Sequence, residues 1–353
     1  MLVGLSPEYV QWMLAAWAAL AFYVLAVLFL RPWRERRGLV RTGFKISLSL
    51  WLLAFAAVLA ETLFVSLYST TDAFGLSLVS QRWNERFVQR NNWECRDRKR
   101  YEGDIPPGRK RLAIVGDSFA FGHGVRRIED RFGDLLERRL NAETSDRWEV
   151  YNLAEPGADT GWESRTLHAL GREYKFRADV VLLSYVLNDL EDLVPENKYI
   201  VGTIILDNPQ NFFCRRFYLP NFLYYRMTQF RRPEFRNYFS WLKDAYSGDI
   251  WARQRKRLDS VKRWCDEHHA KLAVVVFPFL NNFRKDYIFE EAHGVLKNYF
   301  AETKTPELDL LPVYRRVEGQ SLVVGSFDAH PNETAHRIAA EEIWTHLLKD
   351  LVK

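Results

Sequence analysis

Five residues of this 353-residue sequence have the types and the order that acyl transfer requires: Ser118, Gly157, Asn188, Asp328 and His330. A serine becomes nucleophilic when a base lies within hydrogen-bond reach, and His330 offers an imidazole of suitable pKa. That imidazole needs an acceptor to fix its tautomer, and Asp328 is the near candidate. The oxyanion of the tetrahedral intermediate needs preorganised donors. We expect these to be the backbone N–H groups of Ser118 and Gly157 and the side-chain amide of Asn188.

The elements that would position these residues follow from an alternation of apolar runs and helical patterns. Continuous apolar runs are typical of strands that helices cover on both faces. They predict strands at 111–117, 148–154, 179–186 and 271–279, with a fifth near 309–313. Helices predicted between the strands require parallel pairing through right-handed crossovers. The sequence therefore predicts an α/β three-layer sandwich with a parallel five-stranded sheet.

The candidate residues come shortly after strands or just before the final helix. Ser118, Gly157 and Asn188 follow the first, second and third predicted strands, and Asp328 and His330 precede a helix predicted at 332–351. Ligands of open parallel sheets bind beyond the carboxyl ends of the strands. We therefore expect all five residues to meet at one edge of the sheet.

Four short blocks of the sequence resemble those of the SGNH hydrolases, also called the GDSL esterase/lipase family. The blocks are Gly116-Asp117-Ser118, Gly157, Asn188-Asp189, and Asp328 with His330, and the resemblance covers residues 110–350. It implies an SGNH, flavodoxin-like fold, a Ser118–His330–Asp328 triad and an oxyanion hole of Ser118, Gly157 and Asn188. The family often has its Asp three residues before the His, whereas here the spacing is two. We expect Asp117 to anchor its loop, and we expect neither a cofactor nor a metal ion.

Two apolar runs near the N-terminus predict a two-helix transmembrane hairpin. Residues 9–30 contain no charge and residues 46–68 contain only Glu61, and about 20 apolar residues suffice to cross a bilayer. The loop between the runs carries six basic residues and one acidic residue, while residues 1–8 and 69–81 carry no basic residue. The positive-inside rule then places the N-terminus and the catalytic domain on the periplasmic, extracytoplasmic side of the inner (cytoplasmic) membrane. A buried hairpin of a soluble domain is the alternative. We expect Glu61 to be protonated or to reach water near the outer surface.

These features predict three regions along the chain. Residues 1–68 form the hairpin, residues 69–109 a basic connector, and residues 110–353 the hydrolase-like domain, with an aromatic insertion at about 190–250. The insertion could stack on sugar rings, dock on lipid headgroups or simply pack on the sheet. The three cysteines, Cys95, Cys214 and Cys265, allow one disulfide, and the sequence does not determine the pairing.

The resemblance and the predicted anchor together favour an esterase that removes acyl groups, expected to be acetyl, from a glycan outside the membrane. Alternatives are an O-acyltransferase to envelope polysaccharide that uses the same triad, a lipid esterase, and a non-catalytic glycan-binding module. The expected partners are an acylated glycan or lipid substrate, the lipid bilayer and, for a transferase, a membrane protein that supplies the acyl donor. Nucleic acid is not expected, because basic residues are scattered and no recognition motif occurs.

Overall fold

The computed structural model describes residues 4–34, 39–196, 209–281 and 283–352, and the chain divides into two compact units. The first, called the helical unit below, comprises residues 1–86 and 207–231. The second, called the α/β unit, comprises residues 87–206 and 232–353. Part of the aromatic insertion therefore groups with the N-terminal helices.

The regular elements follow one another in this order: α1 (Pro7–Arg34), α2 (Leu39–Leu67), α3 (Leu78–Phe87), β1 (Arg109–Gly116), α4 (Ser118–Phe121), α5 (Phe132–Glu143), β2 (Arg147–Asn152), α6 (Thr160–Tyr174), β3 (Val180–Val186), α7 (Phe212–Arg216), α8 (Tyr218–Arg231), α9 (Pro233–Asp244), α10 (Gly248–Glu267), β4 (Lys271–Phe277), α11 (Glu290–Glu302), β5 (Glu307–Asp309), α12 (Leu311–Arg315), β6 (Val323–Gly325), β7 (Asp328–Pro331), α13 (Glu333–Ile343) and α14 (Lys349–Leu351).

The helical unit contains two long apolar helices, α1 and α2, which pack against each other. Both are long and apolar enough to cross a membrane, and only 11% of the most apolar window of each is buried. The core helix of a soluble protein is mostly buried, whereas these two helices are not. Each of the three cysteines is a free thiol.

Glu61 lies within α2 and is fully engaged by the protein. Its carboxylate accepts hydrogen bonds from the backbone N–H groups of Tyr218 (2.7 Å) and Leu219 (2.8 Å) and from the hydroxyl of Tyr9 (3.0 Å). Only 5% of its surface is exposed. The first turn of α8 and a tyrosine of α1 thus supply the partners of this carboxylate and leave it little access to solvent.

The α/β unit is built on the predicted parallel five-stranded sheet, with the strand order β2-β1-β3-β4-β5. The central strand β3 is buried at every position. From β1 the chain reaches β2 through α5, and it then returns past β1 to β3 through α6. Right-handed crossovers in opposite directions put α5 and α6 on opposite faces of the sheet. Helix α10 packs against α6 and β4, and α13 packs against α5, which completes the three layers.

The fifth strand lies at Glu307–Asp309, two residues earlier than predicted at its start. It stops there because the Asp309 carboxylate accepts a hydrogen bond from the backbone N–H of Leu311 (2.8 Å), at the start of α12. Pro312 follows in the first turn of that helix, where its missing N–H is tolerated. The apolar residues after Asp309 therefore continue as a helix rather than as a strand.

Candidate active site

Ser118 lies at the carboxyl end of β1, as the first residue of the one-turn helix α4. The strand ends in Gly116, where a Cβ atom would come within 2.8 Å of the Ser184 Cβ and 2.9 Å of the Ser184 carbonyl oxygen. Only glycine allows β1 to approach β3 so closely at this point. Asp117 then caps α4, since its Oδ1 accepts a hydrogen bond from the backbone N–H of Phe119 (2.8 Å). Asp117 thus anchors the loop, as predicted.

His330 and Asp328 lie in β7, and a continuous hydrogen-bonded chain connects them to Ser118. The Nε2 atom of His330 lies 2.8 Å from the Oγ of Ser118, and its Nδ1 lies 2.5 Å from the Oδ1 of Asp328. The backbone N–H of His330 donates to the same carboxylate oxygen (3.0 Å). A spacing of two residues suffices for this contact because alternate residues of a strand point to the same face. The Asp328 carboxylate accepts the hydrogen bond that the Nδ1–H of His330 donates. The unprotonated Nε2 can then accept the proton of Ser118.

Gly157 belongs to a tight turn in the loop that follows β2. The backbone N–H of Ala158 donates to the carbonyl oxygen of Glu155 (3.0 Å) across this turn. Gly157 has a φ of +77°, in the left-handed region that favours glycine, and it faces open space. The backbone N–H of Glu155 donates to the carbonyl oxygen of Gly116 (3.2 Å), which fixes the loop to the end of β1.

Asn188 lies in the turn that follows β3, and the neighbouring Asp189 holds that turn in place. The Asp189 carboxylate accepts a hydrogen bond from the backbone N–H of Val186 (2.9 Å). The carbonyl oxygen of Asp189 accepts another from the backbone N–H of Thr160 (3.0 Å), at the start of α6. Because β2 and β3 are the two neighbours of β1, the turns of Gly157 and Asn188 flank the end of β1 that carries Ser118. This is the topological switch point, where open α/β sheets bind ligands.

His123 is a residue of this site to which sequence reasoning gives no role. It is 5% exposed, its Nε2 lies 3.7 Å from the Oδ2 of Asp328, and its ring centre lies 4.6 Å from that of His330. The ligand atoms of His123, Asp328 and His330 lie within 4.8 Å of one another, a cluster that could hold a metal ion. The expectation of no metal rests on the absence of metal-ligand spacings along the chain. Such spacings do not reveal a cluster whose residues are far apart in the sequence. We assign Asp328 and His330 to the hydrogen-bonded chain with Ser118, since that chain already uses their facing atoms.

Three fully buried carboxyl groups lie behind the site: Asp117, Glu163 and Asp189. Burial raises the pKa of Asp117 to about 6, although the Phe119 N–H and the nearby His330 oppose the shift. Burial, together with repulsion from nearby carboxylates that include Asp117, holds the pKa of Glu163 and of Asp189 well above the ordinary range. Sequence reasoning missed Glu163, because an acid in the first turn of a helix normally indicates a solvated position.

The raised pKa of Asp117 predicts a pH dependence of stability. A carboxyl whose pKa is higher in the folded chain than in the unfolded chain stabilises the fold when the pH is below the pKa of the unfolded chain. This stabilisation is lost as the pH rises through the pKa of the folded chain. A shift of the Asp117 pKa from 3.8 to about 6 corresponds to a change of about 3 kcal/mol in the free energy of unfolding. We expect Asp117→Asn, which keeps the acceptor for the Phe119 N–H, to become more stable relative to the wild type between pH 4 and 7. Thermal unfolding of both proteins across this range measures it, and a constant difference would contradict the prediction.

Comparison with known proteins places several solved structures near this chain. No family model and no curated protein matches it. TesA is 19% identical with a TM-score of 0.44, over 69% of this chain and 99% of TesA. The psychrotrophic esterase EstA from Pseudoalteromonas sp. is 16% identical with a TM-score of 0.42, over 69% and 100% of the two chains. The acetyl xylan esterase AlAXEase is 14% identical with a TM-score of 0.42, over 67% and 99%. These similarities are too low to assign a function, which must come from the residues of this site.

Proposed function

We propose that the protein is a membrane-anchored serine esterase of the SGNH type that removes acyl groups, preferentially acetyl, from an extracytoplasmic glycan. The observation that carries the proposal is the hydrogen-bonded chain from Ser118 through His330 to Asp328, located at the switch point of a parallel sheet. A nucleophile, a base and an orienting acid in this order constitute the arrangement that activates serine for attack on esters.

The proposed reaction proceeds in two halves. Ser118 Oγ attacks the ester carbonyl carbon while His330 Nε2 takes the hydroxyl proton, and Asp328 stabilises the resulting imidazolium. The oxyanion is bound by the backbone N–H groups of Ser118 and Gly157 and by the side-chain amide of Asn188. His330 then returns the proton to the departing alcohol oxygen, which leaves an acyl ester on Ser118. Water, deprotonated by His330, attacks this ester, and the carboxylic acid departs as Ser118 regains its proton.

Two features support the substrate and the location. No atom of the described residues, apart from Gly157 and its chain neighbours, lies within 4 Å of the position that a Cβ of Gly157 would occupy, which fits a loop that an alcohol substrate approaches closely. Few residues of α1 and α2 are buried, and six basic residues against one acidic residue lie at 31–45, where α1 ends and α2 begins along the chain. The positive-inside rule then puts both ends of the pair on the extracytoplasmic side, where envelope glycans lie.

The test uses the full chain in lipid vesicles, with a fluorophosphonate probe and an acetylated polysaccharide. We expect the probe to attach to Ser118, as located by peptide mass spectrometry, and free acetate to appear from the acetylated polysaccharide but not from the deacetylated one. Probe attachment at another serine, or none in a folded protein, would contradict the proposal. Attachment at Ser118 with transfer of acetyl to a sugar hydroxyl, and without free acetate, would show a transferase instead.

A further inference from the structure

Helix α8 presents apolar side chains on two opposite sides. Residues of one side are buried in the helical unit, namely Tyr218, Asn221, Phe222 and Tyr225. The other side carries Leu223, Met227 and Phe230, which are 49%, 48% and 82% exposed. Their spacing of four and three residues places them in a single stripe along the helix. A helix that is apolar on its outer side as well as on its packed side is typical of an apolar environment.

The preceding short helix α7 extends this exposed apolar surface. Its first two residues, Phe212 and Phe213, are 47% and 61% exposed. Phe212 also contacts Trp12 of α1, with ring centres 5.5 Å apart. Trp12 is itself 48% exposed, so the exposed surface of α7 continues onto that of α1. An apolar surface of this extent is rarely left to water.

The contacts of α7 and α8 fix their level along the hairpin. Phe222 lies 5.4 Å from Phe64 and 5.2 Å from Tyr68, measured between ring centres. Phe64 belongs to the final turn of α2, whereas Trp12 belongs to the second turn of α1. At about 1.5 Å per residue, the segment from Glu61 to the end of α2 spans about 9 Å. The start of α7 and the first turns of α8 therefore lie beside the outermost turns of the two long helices, within the depth that interfacial helices occupy.

Polar contacts hold the two short helices at this level. Glu61 binds the first two amide groups of α8, where the positive end of the helix dipole favours a carboxylate. Arg216, at the end of α7, forms an ion pair with Glu8 at the start of α1. The apolar stripe of α8 is thus tied to the hairpin by an acid within α2, while the charged end of α7 lies with the charged end of α1.

We propose that α7 and α8 form an interfacial membrane element, with Phe212, Phe213, Leu223, Met227 and Phe230 in the boundary between headgroups and acyl chains of the outer leaflet. The occupant of this surface is the phospholipid bilayer, because the surface continues that of α1. This inference rests on the proposed membrane anchoring. It assigns part of the aromatic insertion to lipid rather than to sugar.

Depth measurement in vesicles tests the proposal. In full-length protein with Cys95, Cys214 and Cys265 replaced by alanine, a single cysteine carries an environment-sensitive fluorophore. It is placed by Phe230→Cys, by Leu53→Cys in the middle of α2, or by Tyr174→Cys at the end of α6. The vesicles contain phosphatidylcholine and phosphatidylglycerol with a nitroxide near the top or near the end of the acyl chain. We expect the shallow nitroxide to quench the label at position 230 most strongly and the deep nitroxide to quench the label at position 53 most strongly. Neither nitroxide should quench the label at position 174.

The controls separate failure of this inference from failure of the anchoring. Quenching at position 53 with none at 230 would overturn the interfacial element and leave the anchor intact. Absence of quenching at position 53 would overturn the anchoring itself. A blue-shifted but unquenched label at 230 would show that protein, not lipid, covers the stripe. Glu61→Ala should weaken the shallow quenching at 230 and leave the deep quenching at 53 unchanged, because it removes the carboxylate that holds α8.

Discussion

Ser118→Ala is expected to lower kcat for acyl-ester hydrolysis by roughly 10⁶-fold, since the proposed covalent intermediate can no longer form. A residual rate over the uncatalysed reaction should persist, because the oxyanion donors and substrate binding remain. Folding should be unaffected, because Ser118 is half-buried and its hydroxyl is hydrogen-bonded to the side chains of His330 (2.8 Å) and Asp117 (3.4 Å). The measurement is kcat for a chromogenic acetyl ester, together with the thermal unfolding temperature.

Ser260 offers a matched control for this variant. It is also half-buried and also lies beside an imidazole, with its Oγ 3.3 Å from the Nε2 of His168 and 2.8 Å from the Oγ of Ser164. Ser260→Ala therefore removes a hydroxyl from a serine–histidine contact outside the proposed site, and we expect kcat to stay within about twofold of the wild type. Equal loss in both variants, or wild-type activity in Ser118→Ala, would refute the assignment of the nucleophile.

The sequence predicts the sheet, and the positions of the loops that carry the candidate site residues, because both depend on local patterns. The apolar runs of β1 to β4 require burial on both faces, and crossovers through helices leave few possible strand orders. Ser118, Gly157 and Asn188 could be placed because each lies within a few residues of the end of a predicted strand. The fifth strand lies earlier than predicted because the apolar residues after Asp309 are also compatible with a helix, and the hydrogen bond from the Leu311 N–H to the Asp309 carboxylate favours that helix.

Other residues could not be predicted, since their partners come from distant parts of the chain. Glu61 appears in the sequence only as an acid in an apolar run, whereas its backbone partner Tyr218 lies 157 residues later. His123 becomes part of the site only when β7 brings Asp328 to it. Glu163 has the pattern of a surface acid, and it is the packing of α6 that buries it completely. Local patterns therefore determine which residues lie at the sheet edge. Tertiary contacts determine which titratable side chains are buried and which of them contact one another.

Asp328→Asn is expected to lower kcat by roughly 10⁴-fold while the hydrogen-bonded geometry stays nearly unchanged. The asparagine amide can donate to Nδ1 of His330, which moves the imidazole proton to Nε2, and Nε2 can then no longer accept from Ser118. The test compares kcat of this variant with that of Asp117→Asn, the other buried carboxyl beside the nucleophile.

The comparison with Asp117→Asn decides which acid orients the base. Asp328 lies 2.5 Å from the imidazole of His330, whereas Asp117 uses its Oδ1 to cap α4 through the Phe119 N–H. An amide oxygen preserves that cap, so Asp117→Asn should cost less than about tenfold in kcat. If both variants lose activity equally, His330 depends on two carboxyls, and the two-residue spacing in β7 does not by itself complete the triad. If only Asp328→Asn fails, alternation along a strand is sufficient to bring an acid two residues away onto its histidine.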